Sequence, residues 1–500
     1  MNDSLKVLAA MMVLSLASAD AAEMVPESAV VRLPAKDPTV SLCIWFKVGS
    51  QNDPPGKEGL AALTASMLTD AATKANSYER ILDLLFPMAG QYVAAVDAEM
   101  TVVAGRIHKD NLPDYYRLFT EAILQPAFKQ EDLDRLKAQT LNYLENTLRY
   151  ANDEELGKAV LYNTVFAGTP YGHLAEGTIS SVKGITLDDV RAFYQKHYTR
   201  ENVVIGIGGG FDEKLVEQLR ADLARLPAGA PPAVPVSRPR TFEGLHVTIV
   251  EKDAQATAIS FGAPIDVLRG QPDWYPLALA NSWLGEHRNS SSHLYQVIRE
   301  LRGLNYGDYS YIEFFPNGGQ RQMPPQNVGR RQQLCEVWIR PVPNDARVFA
   351  LRAALREVHR LVDQGMTEDE FNQTRNFLRK YVLHYAPTTL ERLGYALDDR
   401  FYGIDGSHLE IFHRRMQTVS LAEVQAAVKK HLQYANLQIV FVTPDAAALV
   451  KQLTSNAPSP IKYPTPKSEA IVKEDEAIAT FPLQIKPENV RVVRVEDLFQ

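Results

Sequence analysis

The chain repeats itself. Thr186-Leu187-Asp188-Asp189-Val190 lines up with Ser420-Leu421-Ala422-Glu423-Val424, Lys196-His197 with Lys430-His431, and Asn202 with Asn436, all at a spacing of 234 residues. A second stretch, residues 128–133 (FKQEDL) against 366–371 (MTEDEF), with Tyr143 over Tyr381, repeats at 238. Two matches in the same order, offset by a four-residue insertion or deletion, point to a duplicated domain. At 500 residues the chain is too long for one ordinary core, since a domain takes roughly 100 to 200 residues.

Each copy mixes element types. Residues 41–48 (SLCIWFKV) alternate as a strand, and residues 92–107 hold a second strand pair. Helical patterns follow over 109–124 and 130–148, and another helix begins near Thr186 and runs into a strand over 203–208. The expected class is α+β, with two homologous halves in which helices pack on a mixed sheet. Residues 227–239 (PAGAPPAVPVSRP) read as a semi-rigid linker. The expected division is a leader over 1–22, an N-terminal domain over 27–226, a linker over 227–245, a C-terminal domain over 246–455 and a tail over 456–500 packed on the body.

Composition removes several function classes. A net charge of -7 without a basic stripe argues against a nucleic-acid partner. Residues 7–17 (VLAAMMVLSLA), followed by small-residue cleavage sites, read as a secretory signal peptide, and no later stretch has the roughly 18 apolar residues of a membrane span. The mature protein is therefore expected outside the cytoplasm, in the periplasm if the source is Gram-negative. Cys43 and Cys335, one in each half, are expected to be free buried thiols.

Residues 59–68 (GLAALTASML) predict a buried helix. Leu60, Leu63, Thr64, Met67, Leu68 and Ala71 recur at three- and four-residue steps, with Ala62, Ala65 and Ser66 between them. After its GKEGL lead-in this stretch resembles G-L-A-H-x-x-E-H-M, the inverted zincin motif of the pitrilysin and insulinase peptidases. In that motif two histidines four residues apart bind zinc and the glutamate serves the attacking water. Ala62 stands at the first histidine, Ala65 at the glutamate and Ser66 at the second histidine. Counting back from the Pro170-Tyr171-Gly172 turn, Glu145 matches the family's third zinc ligand, and without the histidines it is expected to be an uncoupled remnant.

The resemblance extends to the second half. Residues 294–306 (LYQVIRELRGLNY) place Arg299 and Tyr306 in the frame of the family's R-x-x-x-x-x-x-Y pair, which lies across the cavity from the zinc and holds the substrate backbone. The resemblance implies two homologous α+β halves forming a half-shell around a cavity. It further implies the non-zinc-binding subunit of a secreted heterodimeric metalloendopeptidase. Such a chain binds no cofactor itself, has a zinc-bearing homologue and a peptide substrate as partners, and is inactive alone. Residues 92–97 match the substrate-pairing edge strand. The alternative is a non-catalytic scaffold or peptide-binding homologue. His287 and His293 lack a partner at metal-ligand spacing, and the glycines of residues 206–210 lack the Lys-Ser/Thr of a phosphate loop and read as a turn. Residues 317–331 (NGGQRQMPPQNVGRR) read as a polar loop, either an adjustable contact or disordered.

Overall fold

The computed structural model describes residues 24–235 and 238–500, so the signal-peptide stretch lies outside the described residues. The strands are β1 (Val30–Pro34), β2 (Thr39–Phe46), β3 (Gln91–Val96), β4 (Thr101–His108), β5 (Val203–Gly209), β6 (His246–Glu251), β7 (Thr257–Ile265), β8 (Asp308–Tyr311), β9 (Gln333–Val342), β10 (Gln438–Thr443) and β11 (Val490–Arg494). They form two mixed sheets, ordered β1-β5-β2-β4-β3 and β11-β6-β10-β7-β9-β8. With β11 set aside and the strands counted from β1 and from β6, the two orders are the same, and in both the first strand runs parallel to the fifth, β1 to β5 and β6 to β10. The duplication legible in the sequence is thus a duplication of topology. The matched helices Leu187–His197 and Leu421–His431 share a length of 11 residues and a start, in which Thr186 or Ser420 caps the helix reciprocally with Asp189 or Glu423.

The halves are interlocked by an exchange of helices. Helix Asp153–Val165 belongs in sequence to the N-terminal half but packs on β7, β9 and β10. Its Leu156 and Val160 are buried in one cluster with Val250, Ala258, Val440 and Val442. Helix Thr389–Tyr402 returns the contact by packing on β1, β2 and β5, where Leu393, Leu397 and Phe401 are buried with Cys43, Trp45, Val102 and Val204. An apolar sheet face must be covered, and here each half covers the other's.

That exchange explains the glycines of β5. A Cβ on Gly206 would stand 3.0 Å from the Cys43 carbonyl oxygen and 3.4 Å from Leu393, and one on Gly208 would stand 3.0 Å from Thr389. Residues 206–209 therefore lie inside a buried strand rather than in the expected turn, and the missing side chains of Gly206 and Gly208 admit the crossing helix. Cys43 and Cys335 are free thiols, Cys43 fully buried and Cys335 partly so. The described part of residues 227–245 forms no helix or strand.

The tail spans both halves. β11 adds a parallel strand outside β6, and helix Glu469–Ala479 packs on helix Arg347–Gln364. The Leu498 carbonyl accepts from Arg149, and that of Phe499 accepts from Ile179 N at 2.8 Å. Among the described residues no helix is long and apolar enough to cross a membrane.

Candidate functional site

Helix Leu60–Thr69 starts at Gly59, whose φ of 95° is left-handed and whose added Cβ would meet the Glu176 carbonyl at 2.5 Å. The Asp53 carboxylate caps the helix, accepting from Gly59 N at 2.8 Å and Ala61 N at 2.7 Å. Leu60, Leu63, Met67 and Leu68 are buried, as the spacing predicts. Ala65 is buried too, while Ala62 and Ser66 are half-buried. A methyl group has no lone pair to give a metal, and the one hydroxyl among these three positions, that of Ser66, is a neutral oxygen where zinc prefers imidazole, thiolate or carboxylate. Glu145 lies on the π-helical turn Tyr143–Ala151 and pairs at the surface with Lys183, at 3.3 Å. Among the described residues no group of three or more His, Cys, Asp and Glu side chains is arranged to hold a metal ion. These residues do not fit a zinc site.

Arg299 lies on a second π-helical turn, Tyr295–Glu300. Such turns are rare and concentrate at functional sites. Its guanidinium lies over the Tyr295 ring, 4.8 Å from the centroid, and pairs with Glu300. Its Nε is buried with no hydrogen-bond partner. Tyr306 follows on the loop into β8. Its neighbours are pinned: Asn305 Nδ2 donates to Asp308 at 2.8 Å and to the Arg340 carbonyl at 3.0 Å, and the Gly307 carbonyl accepts from Arg340 N at 3.2 Å. Tyr306 itself is 77% exposed, so a fixed backbone presents the phenol to solvent.

Between the halves lies a cavity of about 300 Å³, lined among others by Asp97, Glu155, Lys158, Tyr162, Glu176 and Arg330. Residues 317–331 close one side of it as a strap from the C-terminal half. At one end Glu155 accepts from Gly318 N at 2.9 Å. At the other, buried Arg330 grips the Asp97 carboxylate through both Nε and a terminal nitrogen, with Nε to Oδ2 at 2.7 Å. Arg331 pairs with Glu99, which also accepts from Arg331 N at 2.6 Å. Lys158 reaches the Phe315 carbonyl at 2.6 Å and stands over the Tyr311 and Trp338 rings. Burial holds the Glu176 carboxyl above its ordinary range.

The comparisons with known proteins place these features in one frame. The profile described as Insulinase (Peptidase family M16) matches residues 30–178, and that described as Peptidase M16 inactive domain matches residues 184–378. The chain belongs to peptidase family M16. An uncharacterized zinc protease of Streptomyces coelicolor is 24% identical over 66% of this chain and 69% of its own length. The non-peptidase homolog YmxG of Helicobacter pylori is 22% identical over 80% of this chain and 87% of its own. Among solved structures, a peptidase M16 inactive domain from Pseudomonas fluorescens aligns at 24% identity with a TM-score of 0.73, covering 83% of this chain and 95% of that one. A chain of complex III2 from Candida albicans aligns at 16% identity with a TM-score of 0.62, over 83% and 93%. Together with the ligand-less helix, these describe a non-catalytic M16 relative.

Within the M16 frame, Ala62, Ala65 and Ser66 share one helix, while Glu145 turns to Lys183. The Arg299 guanidinium faces Tyr295 rather than Tyr306, and neither Arg299 nor Tyr306 lines the interdomain cavity. β3 is the edge of its sheet, with Tyr92 buried and Val93 exposed, but Asp97 just beyond it is occupied by Arg330. His287 and His293 go to separate partners. His287 lies between the Tyr311 hydroxyl, at 2.8 Å, and the Arg321 carbonyl, at 2.9 Å, whereas His293 stacks on Trp283 and meets Glu357 at 2.6 Å. Sequence reasoning found residues 317–331 as a polar loop, either an adjustable contact or disordered, but missed its anchorage across the halves. Its only signal was the Arg330-Arg331 doublet, and the carboxylates it answers lie 233 and 232 residues earlier.

Proposed function

We propose that this chain is the non-zinc-binding subunit of a heterodimeric M16 metalloendopeptidase, exported to the periplasm, and that it supplies Arg299 and Tyr306 to the zinc site of a homologous partner. The observation that carries the reading is the presentation of Tyr306. A tyrosine kept for packing is buried, whereas this one holds its ring in solvent from a backbone fixed on both sides. An exposed aromatic with a polar tip is suited to a contact completed by another molecule. A guanidinium and a phenol held beside a peptide can donate to its carbonyl and stabilise charge that develops on the oxygen. The loss of zinc ligands from helix Leu60–Thr69 supports a chain that contributes positioning and leaves the metal to its partner.

The test is co-expression with a homologue carrying an intact H-x-x-E-H, followed by steady-state peptide cleavage, with light scattering to establish a 1:1 complex. Arg299→Ala should lower turnover roughly 100- to 1000-fold, the loss expected for one transition-state donor, without preventing assembly. Tyr306→Phe should have a smaller effect of the same kind. The partner's zinc content should stay unchanged in both. Full activity of both variants would replace this reading with the non-catalytic scaffold.

A further inference from the structure

Arg302 stands three residues beyond Arg299, and its side chain is wholly buried. All three of its guanidinium nitrogens are engaged. One terminal nitrogen donates to the Val297 carbonyl at 2.8 Å, inside the π-helical turn that carries Arg299. Nε and the other terminal nitrogen donate to Asp475 at 2.8 Å and Glu474 at 2.9 Å, neighbouring residues of the tail helix Glu469–Ala479. The carboxylates are fixed in turn, Asp475 by the Tyr463 hydroxyl at 2.8 Å and Glu474 by Arg356 at 3.0 Å. From the same tail, Lys467 donates to the Leu301 carbonyl at 2.8 Å. The end of a helical turn leaves carbonyls without partners, and here two of the carbonyls around Arg299 receive donors, one from Arg302, which the tail holds, and one from Lys467 of the tail itself.

We propose that the C-terminal tail is a positioning device: residues 463–475 clamp Arg302 and thereby set the π-helical turn from which Arg299, and the following loop with Tyr306, reach a substrate. The proposal rests on the reading of Arg299 and Tyr306 given above. A guanidinium held by two carboxylates and a carbonyl has one orientation, because the planar fork matches its acceptors only one way. Arg302 and Asp475 of the clamp are buried, while Tyr306 stays exposed. Arg302 and its tail partners touch no substrate in this scheme and act through Arg299 and Tyr306.

Removing Arg302 would strand two carboxylates and risk unfolding, so the variant of choice is on the tail, Glu474→Gln with Asp475→Asn. Two measurements on the full-length chain decide the matter. In hydrogen exchange of this chain alone, the amides of Leu301, Gly303 and Leu304, which close the turn onto Gln296, Arg299 and Ile298, should exchange about tenfold faster or more. Those of helix Leu60–Thr69 should not change. Unchanged exchange at the three amides would overturn the clamp, whatever the activity. In the reconstituted pair, kcat should fall about 10- to 100-fold, the cost of a misplaced group, with KM and assembly unchanged. The same tail change in an Arg299→Ala, Tyr306→Phe background should cost nothing further. An equal fall in both backgrounds would show a general structural effect and overturn the positioning role. If Arg299→Ala is itself silent, the functional reading fails and takes the turnover consequence with it, while exchange still decides whether the tail holds the turn.

Discussion

Ala62, Ala65 and Ser66 fill the places of two ligands and a base, and among the described residues no group of three or more His, Cys, Asp and Glu side chains is arranged to hold a metal in their stead. Residues of this kind were legible because they interrupt a short motif at fixed spacing. Arg299 and Tyr306 were legible for the same reason, by their seven-residue separation within a local frame. The Arg330–Asp97 and Arg331–Glu99 pairs were not, because contact between groups more than 200 residues apart follows from the fold. His287 shows the same limit: its sequence position suggested only a weak metal candidate, yet the structure buries it between a phenol and a carbonyl and pushes its pKa down to about 4. A histidine whose folded pKa lies below its unfolded value of about 6.5 contributes stability that is present above pH 6.5 and is lost as pH falls toward 4, since the unfolded chain then binds the proton more readily. Between pH 7 and pH 5 this one group should cost about 2 kcal/mol. Urea midpoints of wild type and His287→Gln at the two pH values check this, since the variant should lose that part of the pH dependence. Equal pH dependence in both proteins would show that His287 titrates normally.

At the scale of elements, periodicity predicted the motif helix and the two strands of residues 92–107, and the repeat predicted that the second half would copy the first. The exchange of helices was hidden. Helix Asp153–Val165 buries residues on more than one face, including Leu156, Gly157, Lys158, Val160, Leu161 and Val165, and a pattern without a single apolar stripe does not say which sheet it covers. The glycines of β5 misled for a related reason: glycine marks turns, but it also marks close approach, and only the position of helix Thr389–Tyr402 distinguishes the two. Gly206→Val would press a branched side chain against the Cys43 carbonyl and Leu393. The expected cost is about 1 to 3 kcal/mol, the usual range for overpacking, read as a lower Tm. Gly184→Ala, where an added Cβ meets nothing within 4 Å, is the control and should change stability by less than about 0.5 kcal/mol. Equal effects at the two sites would mean that the crossing helix does not need the space β5 leaves.

For the whole molecule, the exchange implies that neither half has a complete core of its own. Each sheet has one face covered by a helix from the other half, the strap binds Arg330 to Asp97 across the interface, and the tail touches both halves. Interdomain contacts of this kind should make the halves unfold together, although two domains in one chain often unfold separately. The distribution of tryptophan allows a direct test. Trp45 is the only one in the N-terminal half, buried with its ring 6.0 Å from Phe401 of the crossing helix, and Trp274, Trp283 and Trp338 all lie in the C-terminal half. In a Trp45→Phe variant, fluorescence therefore reports the C-terminal half alone, while far-UV circular dichroism reports both. The two urea transitions should coincide. Arg330→Ala in the same background leaves Asp97 buried without its partner, which typically costs about 3 to 5 kcal/mol. Because the halves share their cores, that loss should move both transitions to lower urea together. Two separated transitions, or a shift confined to one probe, would mean that each half is stable without the helix it borrows.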